Sequence, residues 1–167
     1  MLKRSLKRDE KGLEGMPLKL LIISVVLAIA IPAVYNSVEY YDTKGTLKNL
    51  KSEIQFIGEK AEQVFIHGNG NSEVIEVDFS DGIFEKINIV KLCCEPDYVI
   101  RWETMDYNGQ YSIPKKIPLY NESGEIGLLK GSHKLRMTCK YGNPSNIDGS
   151  RSYFDQDSQY LEIEVLR

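Results

Sequence analysis

The sequence predicts an α+β protein in which a long N-terminal hydrophobic helix precedes an antiparallel, β-sandwich-like head. Up to residue 66 the chain carries an apolar run and then a helical repeat, whereas from Ser72 apolar and polar side chains alternate as in half-buried strands. The 167 residues suffice for one modest domain plus a long helix, but not for two independent domains of full size. We therefore expect a single hydrophobic core.

The hydrophobic segment covers residues 20–35 and is interrupted only by Ser24 and Pro32. As a helix its sixteen residues would measure about 24 Å, slightly short of the roughly 20 residues that cross a bilayer. A segment that is apolar on every side is stable in lipid and equally stable inside a helical bundle. Pro32 removes one helical hydrogen bond and predicts a kink. The residues expected to form this apolar helix core are Leu20, Leu21, Ile22, Ile23, Val25, Val26, Leu27, Ile29, Ile31, Pro32 and Val34.

Basic residues precede the hydrophobic segment. Residues 1–12 contain five Lys and Arg side chains but only Asp9 and Glu10 as acids. Without this leader, 16 basic and 22 acidic residues remain, and the formal net charge changes from -3 to -6. The positive-inside rule then predicts that the N-terminus stays in the cytoplasm and that the acidic remainder lies outside. An acidic body also argues against a nucleic-acid partner, since phosphate binding needs clustered Lys and Arg.

A second helical pattern follows the apolar run. Apolar residues recur at steps of three and four with charged residues between them, which predicts a solvated helix with one apolar face packed on the head. The glycine and asparagine cluster at residues 68–71 predicts the helix end. We therefore divide the chain into a leader at 1–12, a helix at 13–66 and a head at 72–167. The apolar positions of the second helical half are Leu47, Leu50, Ile54, Ile57, Ala61 and Val64.

The head is predicted to consist of six or seven short strands. Alternation and β-branched or aromatic side chains place them at residues 74–79, 83–94, 98–105, 126–129, 134–140 and 160–166. Residues 111–120 contain Pro114 and Pro118, which confine that segment to an edge or a broken strand. A turn is expected at Asn108-Gly109, and a bend or hairpin at Gly131-Ser132.

The three cysteines are too few for a disulfide-rich scaffold. They are either small buried apolar side chains or, in an extracellular head, a bridge from Cys139 to Cys93 or Cys94. With two histidines and no CxxC pair we expect no zinc site, and the acidic loop before Gln159 lacks the spacing of an EF-hand. We therefore expect no metal and no cofactor.

The region around Gly12 resembles the class III signal peptides of archaeal type IV pilin-like proteins and archaellins. The resemblance rests on the short basic leader, Lys11-Gly12, then Leu13-Glu14-Gly15 and the hydrophobic stretch. In that family a prepilin peptidase cuts on the cytoplasmic side, after a glycine preceded by a basic residue. The resemblance implies a cut between Gly12 and Leu13, with Arg8, Lys11 and Gly15 in the recognition sequence.

The resemblance covers residues 1–66 and has one competing site and one departure. Gly15 is the alternative cut, but it follows Glu14 rather than a basic residue. Bacterial type IV pilins place a glutamate five residues after the cut, where this chain has Pro17, or Leu20 for a cut after Gly15. The archaeal type is therefore favoured over the bacterial type.

The resemblance implies a structural subunit of an archaeal pilus-like or archaellum-like filament. Its partners would be copies of itself, other pilins, the prepilin peptidase, the pilus assembly platform and, before assembly, membrane lipid. Such a protein is first a membrane precursor and then part of an extracellular filament at the cell surface. Two alternatives stay open: a permanent membrane anchor whose extracytoplasmic β-domain serves adhesion or surface-layer and glycan binding, and a minor pilin or archaellum accessory component.

The remaining motifs carry little chemistry. Neither His67 nor His133 has a neighbouring Ser or Cys nucleophile in an elbow motif, and no glycine-rich loop joins a strand to a helix, so we do not expect an enzyme. Asn121-Glu122-Ser123 is a candidate N-glycosylation site in a predicted turn. Four aromatic residues between 98 and 111 either form a carbohydrate or adhesion patch or, as we expect, pack across strands and in the core. They are Tyr98, Trp102, Tyr107 and Tyr111.

Overall fold

The computed structural model describes residues 10–92, 98–143 and 157–166, with side chains from Pro17 onward. It is an α+β protein: one long N-terminal helix is followed by two sheets whose strands are mostly antiparallel. The chain forms two compact units that divide between Tyr41 and Asp42.

Helix α1 covers Glu10–His67, 58 residues without interruption. Pro17 and Pro32 both lie inside it, and the kink expected at Pro32 stays a prediction. The helix ends at His67, directly before the glycine and asparagine cluster at residues 68–71 that predicted its end. Gly68 adopts a φ of 86°, which is available to glycine at no steric cost, and its amide donates to the Phe65 carbonyl at 3.1 Å.

Eight strands are present in the described part of the chain. They are β1 (Ser72–Phe79), β2 (Ile87–Leu92), β3 (Val99–Thr104), β4 (Asn108–Ser112), β5 (Leu119–Tyr120), β6 (Ile126–Leu128), β7 (Gly131–Gly142) and β8 (Ser158–Leu166). The first sheet has the order β1-β7-β8-β5 and the second the order β4-β3-β2-β6. A short 3₁₀ turn, Pro114–Lys116, connects β4 to β5 and therefore carries the chain from one sheet to the other.

One strand pair departs from the expected antiparallel arrangement. β5 runs parallel to β8, with Leu119 opposite Leu161 and Tyr120 opposite Glu162. Residues 111–120 were expected to be broken by their prolines, and they are: β4 ends at Ser112 and β5 is only two residues long at a sheet edge. Since Pro118 has no N–H, it contributes its carbonyl, which accepts from the Leu161 amide at 2.8 Å.

The strand predicted from residue 83 begins only at Ile87. The amides of Ile83 and Phe84 donate to the Asp42 carboxylate, and the Ile87 amide donates to Asp81. Residues 80–86 are consequently a loop, because the Asp42 carboxylate rather than a neighbouring strand accepts from the amides of residues 83–85.

The turn predicted at Asn108-Gly109 is wrong. Both residues belong to β4, and Gly109 lies opposite Trp102 of β3. A Cβ at Gly109 would collide with the Trp102 ring, so this glycine makes room for an aromatic neighbour rather than for a turn. The chain reverses instead between Thr104 and Tyr107, where the Tyr107 amide donates to the Thr104 hydroxyl at 3.1 Å.

The bend predicted at Gly131-Ser132 is also wrong. Gly131 and Ser132 are the first residues of β7 and pair with Phe79 and Asp78 of β1. β6 and β7 lie in different sheets, so the turn between them does not form a hairpin.

Helix α1 and both sheets contribute to one hydrophobic core. The helix provides the face that its sequence repeat predicted, with Leu47 partly buried and the following five apolar positions buried. The buried members from α1 are Leu50, Ile54, Ile57, Ala61 and Val64, and those from the strands include Val77, Phe79, Leu135, Met137, Leu161, Val90, Leu92, Ile100 and Leu128. Every core residue therefore follows Tyr41 in sequence.

Candidate functional site

The apolar run of α1 is exposed in the single chain. Its Leu, Ile and Val residues between 20 and 34 keep 49% to 70% of their surface accessible. Leu20, Leu21, Ile22 and Ile23 are consecutive and all exposed, and four consecutive helical residues point in all directions around the axis. The apolar surface therefore surrounds the helix.

This part of α1 is long and apolar enough to serve as a membrane anchor or a signal. Its most apolar 18-residue window has a mean hydropathy of 2.4 and no buried residue. Charged side chains are absent from residues 20–38, between Lys19 and Glu39. These 19 residues measure about 28 Å, close to the roughly 30 Å of a bilayer's hydrocarbon core. The charge-free segment at residues 20–38 therefore matches the thickness of a membrane better than the sixteen-residue apolar run does.

The polar groups in this segment are satisfied within the helix. The Ser24 hydroxyl donates to the Leu20 carbonyl at 2.7 Å, and the Ser37 hydroxyl donates to the Ala33 carbonyl at 2.8 Å. Because an unsatisfied polar group is costly in lipid, these back-bonded serines are compatible with an apolar solvent. Tyr40 and Tyr41 follow the segment and contact each other edge to face, with ring centroids 5.7 Å apart.

The residues predicted for proteolytic processing are only partly described. Lys11, Gly12, Leu13 and Gly15 belong to the beginning of α1, where only the backbone is described, and Arg8 lies outside the described residues. The cut between Gly12 and Leu13 stays a prediction.

Directly after the apolar half, Asp42 binds the loop between β1 and β2. Its carboxylate accepts hydrogen bonds from the amides of Ile83 at 2.9 Å, Phe84 at 2.8 Å and Glu85 at 3.3 Å. These bonds, those of Ile83 and Phe84 foremost, lower the pKa of the Asp42 carboxyl below its ordinary value of 3.8. Asp42 therefore attaches this loop to the part of α1 that belongs to the head.

A buried carboxyl lies in the same loop. Glu85 is 1% exposed, and its Oε1 accepts from the Asp106 amide at 3.3 Å. Among the described residues its Oε2 has no hydrogen-bond partner. Sequence reasoning missed both Asp42 and Glu85, because nothing in the local sequence distinguishes them from other charged residues. Their hydrogen-bond partners lie more than 20 positions away in sequence.

The four aromatic residues of the predicted patch do not share one surface. Trp102 is buried beside Gly109, and Tyr111 packs partly buried against Gly58 of α1. Tyr107 is exposed, and Tyr98 is half-buried. Trp102 and Tyr111 thus serve core packing, as expected.

Asn121, the candidate glycosylation residue, lies in the turn before β6 with its side chain engaged. Its Nδ2 donates to the Ile163 carbonyl at 2.5 Å, and its Oδ1 accepts from the Ser123 amide at 2.8 Å. Nδ2 is the atom to which an N-linked sugar attaches. In the folded head this atom ties the turn to β8, and its glycosylation stays a prediction.

Cys139 is buried in β7, where its sulfur accepts a hydrogen bond from Gln159 Nε2 at 3.0 Å. Burial raises the pKa of the Cys139 thiol, and the bond from Gln159 opposes that shift. The thiol is therefore protonated at neutral pH. The predicted bridge cannot be located, since Cys93 and Cys94 lie outside the described residues. In the described part of the chain, no three His, Cys, Asp or Glu residues are grouped so that they could hold a metal ion.

The chain matches no protein-family model, no curated protein and no solved structure. Its class therefore follows from its own features: an α+β protein with an N-terminal helix able to anchor it in a membrane and a β-sheet head.

Proposed function

We propose that this protein is a structural subunit of an archaeal type IV pilus-like or archaellum-like filament. It is inserted in the membrane as a precursor and processed by a prepilin peptidase before assembly. The observation that carries the proposal is the continuity of α1, whose 58 residues contain both an apolar half exposed on all sides and a half built into the core of the head.

An exposed apolar helix suits a subunit that changes surroundings. In the membrane its surface contacts lipid, and in a filament the same surface contacts the helices of neighbouring subunits. Outside lipid, this burial is favourable by about 25 cal/mol per Å² of apolar surface. Within lipid, close packing has to supply the association, because lipid tails and side chains are similarly apolar.

The junction at Asp42 supports the same role. Asp42 is the first residue of the head unit and bonds to the β1–β2 loop, and Thr46, about one helical turn later, is buried. The core of the head therefore uses none of the Leu, Ile and Val side chains of residues 20–34.

Replacement of the cleavage glycine tests the proposal. Gly12→Val is expected to leave an uncut, membrane-bound precursor, because the prepilin peptidase of the family that this chain resembles cuts after a glycine preceded by a basic residue. The measurements are the mass of the N-terminus of membrane-extracted protein and the amount of the protein in sheared filaments. Gly45→Val is the matched control: it lies outside the recognition sequence, a Cβ there meets nothing within 4 Å, and the variant should be cut and assembled normally.

Two results would contradict the proposal. Normal filaments from the Gly12→Val chain would contradict processing at this site. A native N-terminus at Met1, with no protein in the sheared fraction, would instead favour the permanent anchor that presents an adhesive head. A processed protein present in only a few copies per filament would indicate the accessory role.

A further inference from the structure

Three loops of the head that are bonded to one another carry exposed apolar side chains. Ile83 is 73% exposed in the β1–β2 loop, Met105 is 67% exposed between β3 and β4, and Leu129 is exposed between β6 and β7. Tyr107 lies beside Met105 and is also exposed. We call the surface formed by residues 80–86, 105–107 and 129–130 the base of the head.

The three loops are bonded to one another. The Met105 amide donates to the Lys86 carbonyl at 2.8 Å. Lys130 Nζ lies 3.3 Å from the Asp81 carboxylate, which brings the third loop to the first. The buried Glu85 adds a bond to the Asp106 amide. The base is therefore one built surface rather than three independent loops.

The base is bonded to a residue that follows the charge-free helix segment closely in sequence. Ile83 and Phe84 bond directly to Asp42. Asp42 follows Val38, the last residue of that segment, by four positions. Four residues of an α-helix measure about 6 Å along its axis. The headgroup layer on each side of a bilayer is several ångströms thick, so the base lies within reach of it.

The chemistry of the base fits that layer. Apolar side chains together with a tyrosine and a lysine are typical of protein surfaces at the membrane interface. The exposed Asp106 between Met105 and Tyr107 limits the depth, because a carboxylate is costly in hydrocarbon.

We propose that the base of the head binds the lipid surface of the outer leaflet, with Ile83 and Met105 inserted between the headgroups. This inference rests on the proposed membrane insertion of α1. It adds a second lipid contact, which holds the head against the membrane until the subunit is assembled.

Tryptophan quenching in lipid nanodiscs tests the inference on the full chain. The nanodiscs contain phosphatidylcholine with bromine atoms near the headgroup end of the acyl chains, compared with the unbrominated lipid. Ile83→Trp reports on the base, Val34→Trp on the membrane helix, and the native Trp102 alone provides the background. Ile66→Trp is the matched control, since Ile66 is also exposed but lies 24 residues beyond Asp42 on α1, about 36 Å along the helix.

We expect Ile83→Trp and Val34→Trp to lose most of their added emission in brominated lipid and Ile66→Trp to lose none. Quenching at position 34 without quenching at position 83 would overturn the lipid contact while leaving the anchor intact. Equal quenching at positions 83 and 66 would also overturn it, because the head would then contact the membrane through no particular surface. An unquenched Val34→Trp would overturn the membrane insertion itself, and the inference with it. If Ile83→Trp is shielded from an aqueous quencher only in filaments, the base contacts a second copy rather than lipid.

Discussion

Two glycines of α1, Gly45 and Gly58, occupy very different surroundings. A Cβ at Gly45 would meet nothing within 4 Å, whereas one at Gly58 would lie 2.6 Å from Cε1 of Tyr111. We expect Gly45→Ala to stabilise the head by about 0.5–1 kcal/mol, since alanine favours the helix. Gly58→Ala should destabilise it by about 1–3 kcal/mol through overpacking. Urea unfolding followed by Trp102 fluorescence measures both changes.

The Tyr111 ring provides the control for this comparison. In a Gly58→Ala/Tyr111→Val chain the added methyl group has space, so the two changes should cost less together than the sum of the single changes. An increase in stability for Gly58→Ala alone would contradict the role assigned to Tyr111.

Asp42 predicts a pH dependence of stability. Its folded pKa is lowered, chiefly by the Ile83 and Phe84 amides, so its contribution is complete well above the ordinary pKa of 3.8. The contribution decreases as the pH falls below 3.8 and is lost once the pH passes the folded pKa. Asp42→Asn should therefore melt below the wild-type chain at neutral pH, and the gap should narrow in acid. Thermal melts over this pH range measure the gap, and a constant gap would mean that the charge of Asp42 contributes nothing.

At the scale of the element, the two halves of α1 respond differently to the same kind of substitution. Ile57 is fully buried in the head, and Leu27 is exposed in the apolar half. Ile57→Ala should reduce the free energy of unfolding of the head by about 2–5 kcal/mol, because it leaves a cavity. Leu27→Ala should change it by less than about 0.5 kcal/mol. Urea unfolding in detergent compares the two variants, and equal losses would show that the apolar half is part of the head's cooperative unit.

Local sequence patterns were sufficient to predict some features of the individual elements but not others. The repeat from Leu50 to Val64 predicted the buried face of α1 because every helical turn presents the same side to the head. The helix end was predicted because Gly68 is suited to a positive φ whatever surrounds it. The turn predicted at Asn108-Gly109 failed because the Trp102 ring, on another strand, decides the use of that glycine.

At the scale of the whole molecule, the division between Tyr41 and Asp42 predicts an independent head. A fragment of residues 39–167 retains all of the core residues and the Asp42 contacts, and it lacks the charge-free segment. It should fold and stay in the supernatant when membranes are pelleted, while the full chain pellets with them. Circular dichroism and Trp102 emission check the fold. An unfolded fragment would show that the head needs the apolar half.

The sequence by itself determined the long helix, its exposed apolar half, its buried stripe and a head of short strands. These features depend on the periodicity and composition of short stretches of sequence, which can be recognised from neighbouring residues alone. Only the tertiary structure decided the β5–β8 pairing, the burial of Glu85 and the attachment of residues 83–85 to Asp42. Each depends on groups that lie more than 20 positions apart in sequence and come into contact only in the folded head. The base of the head belongs to this second class, because the loops that carry Ile83 and Met105 are joined by hydrogen bonds that no local pattern encodes.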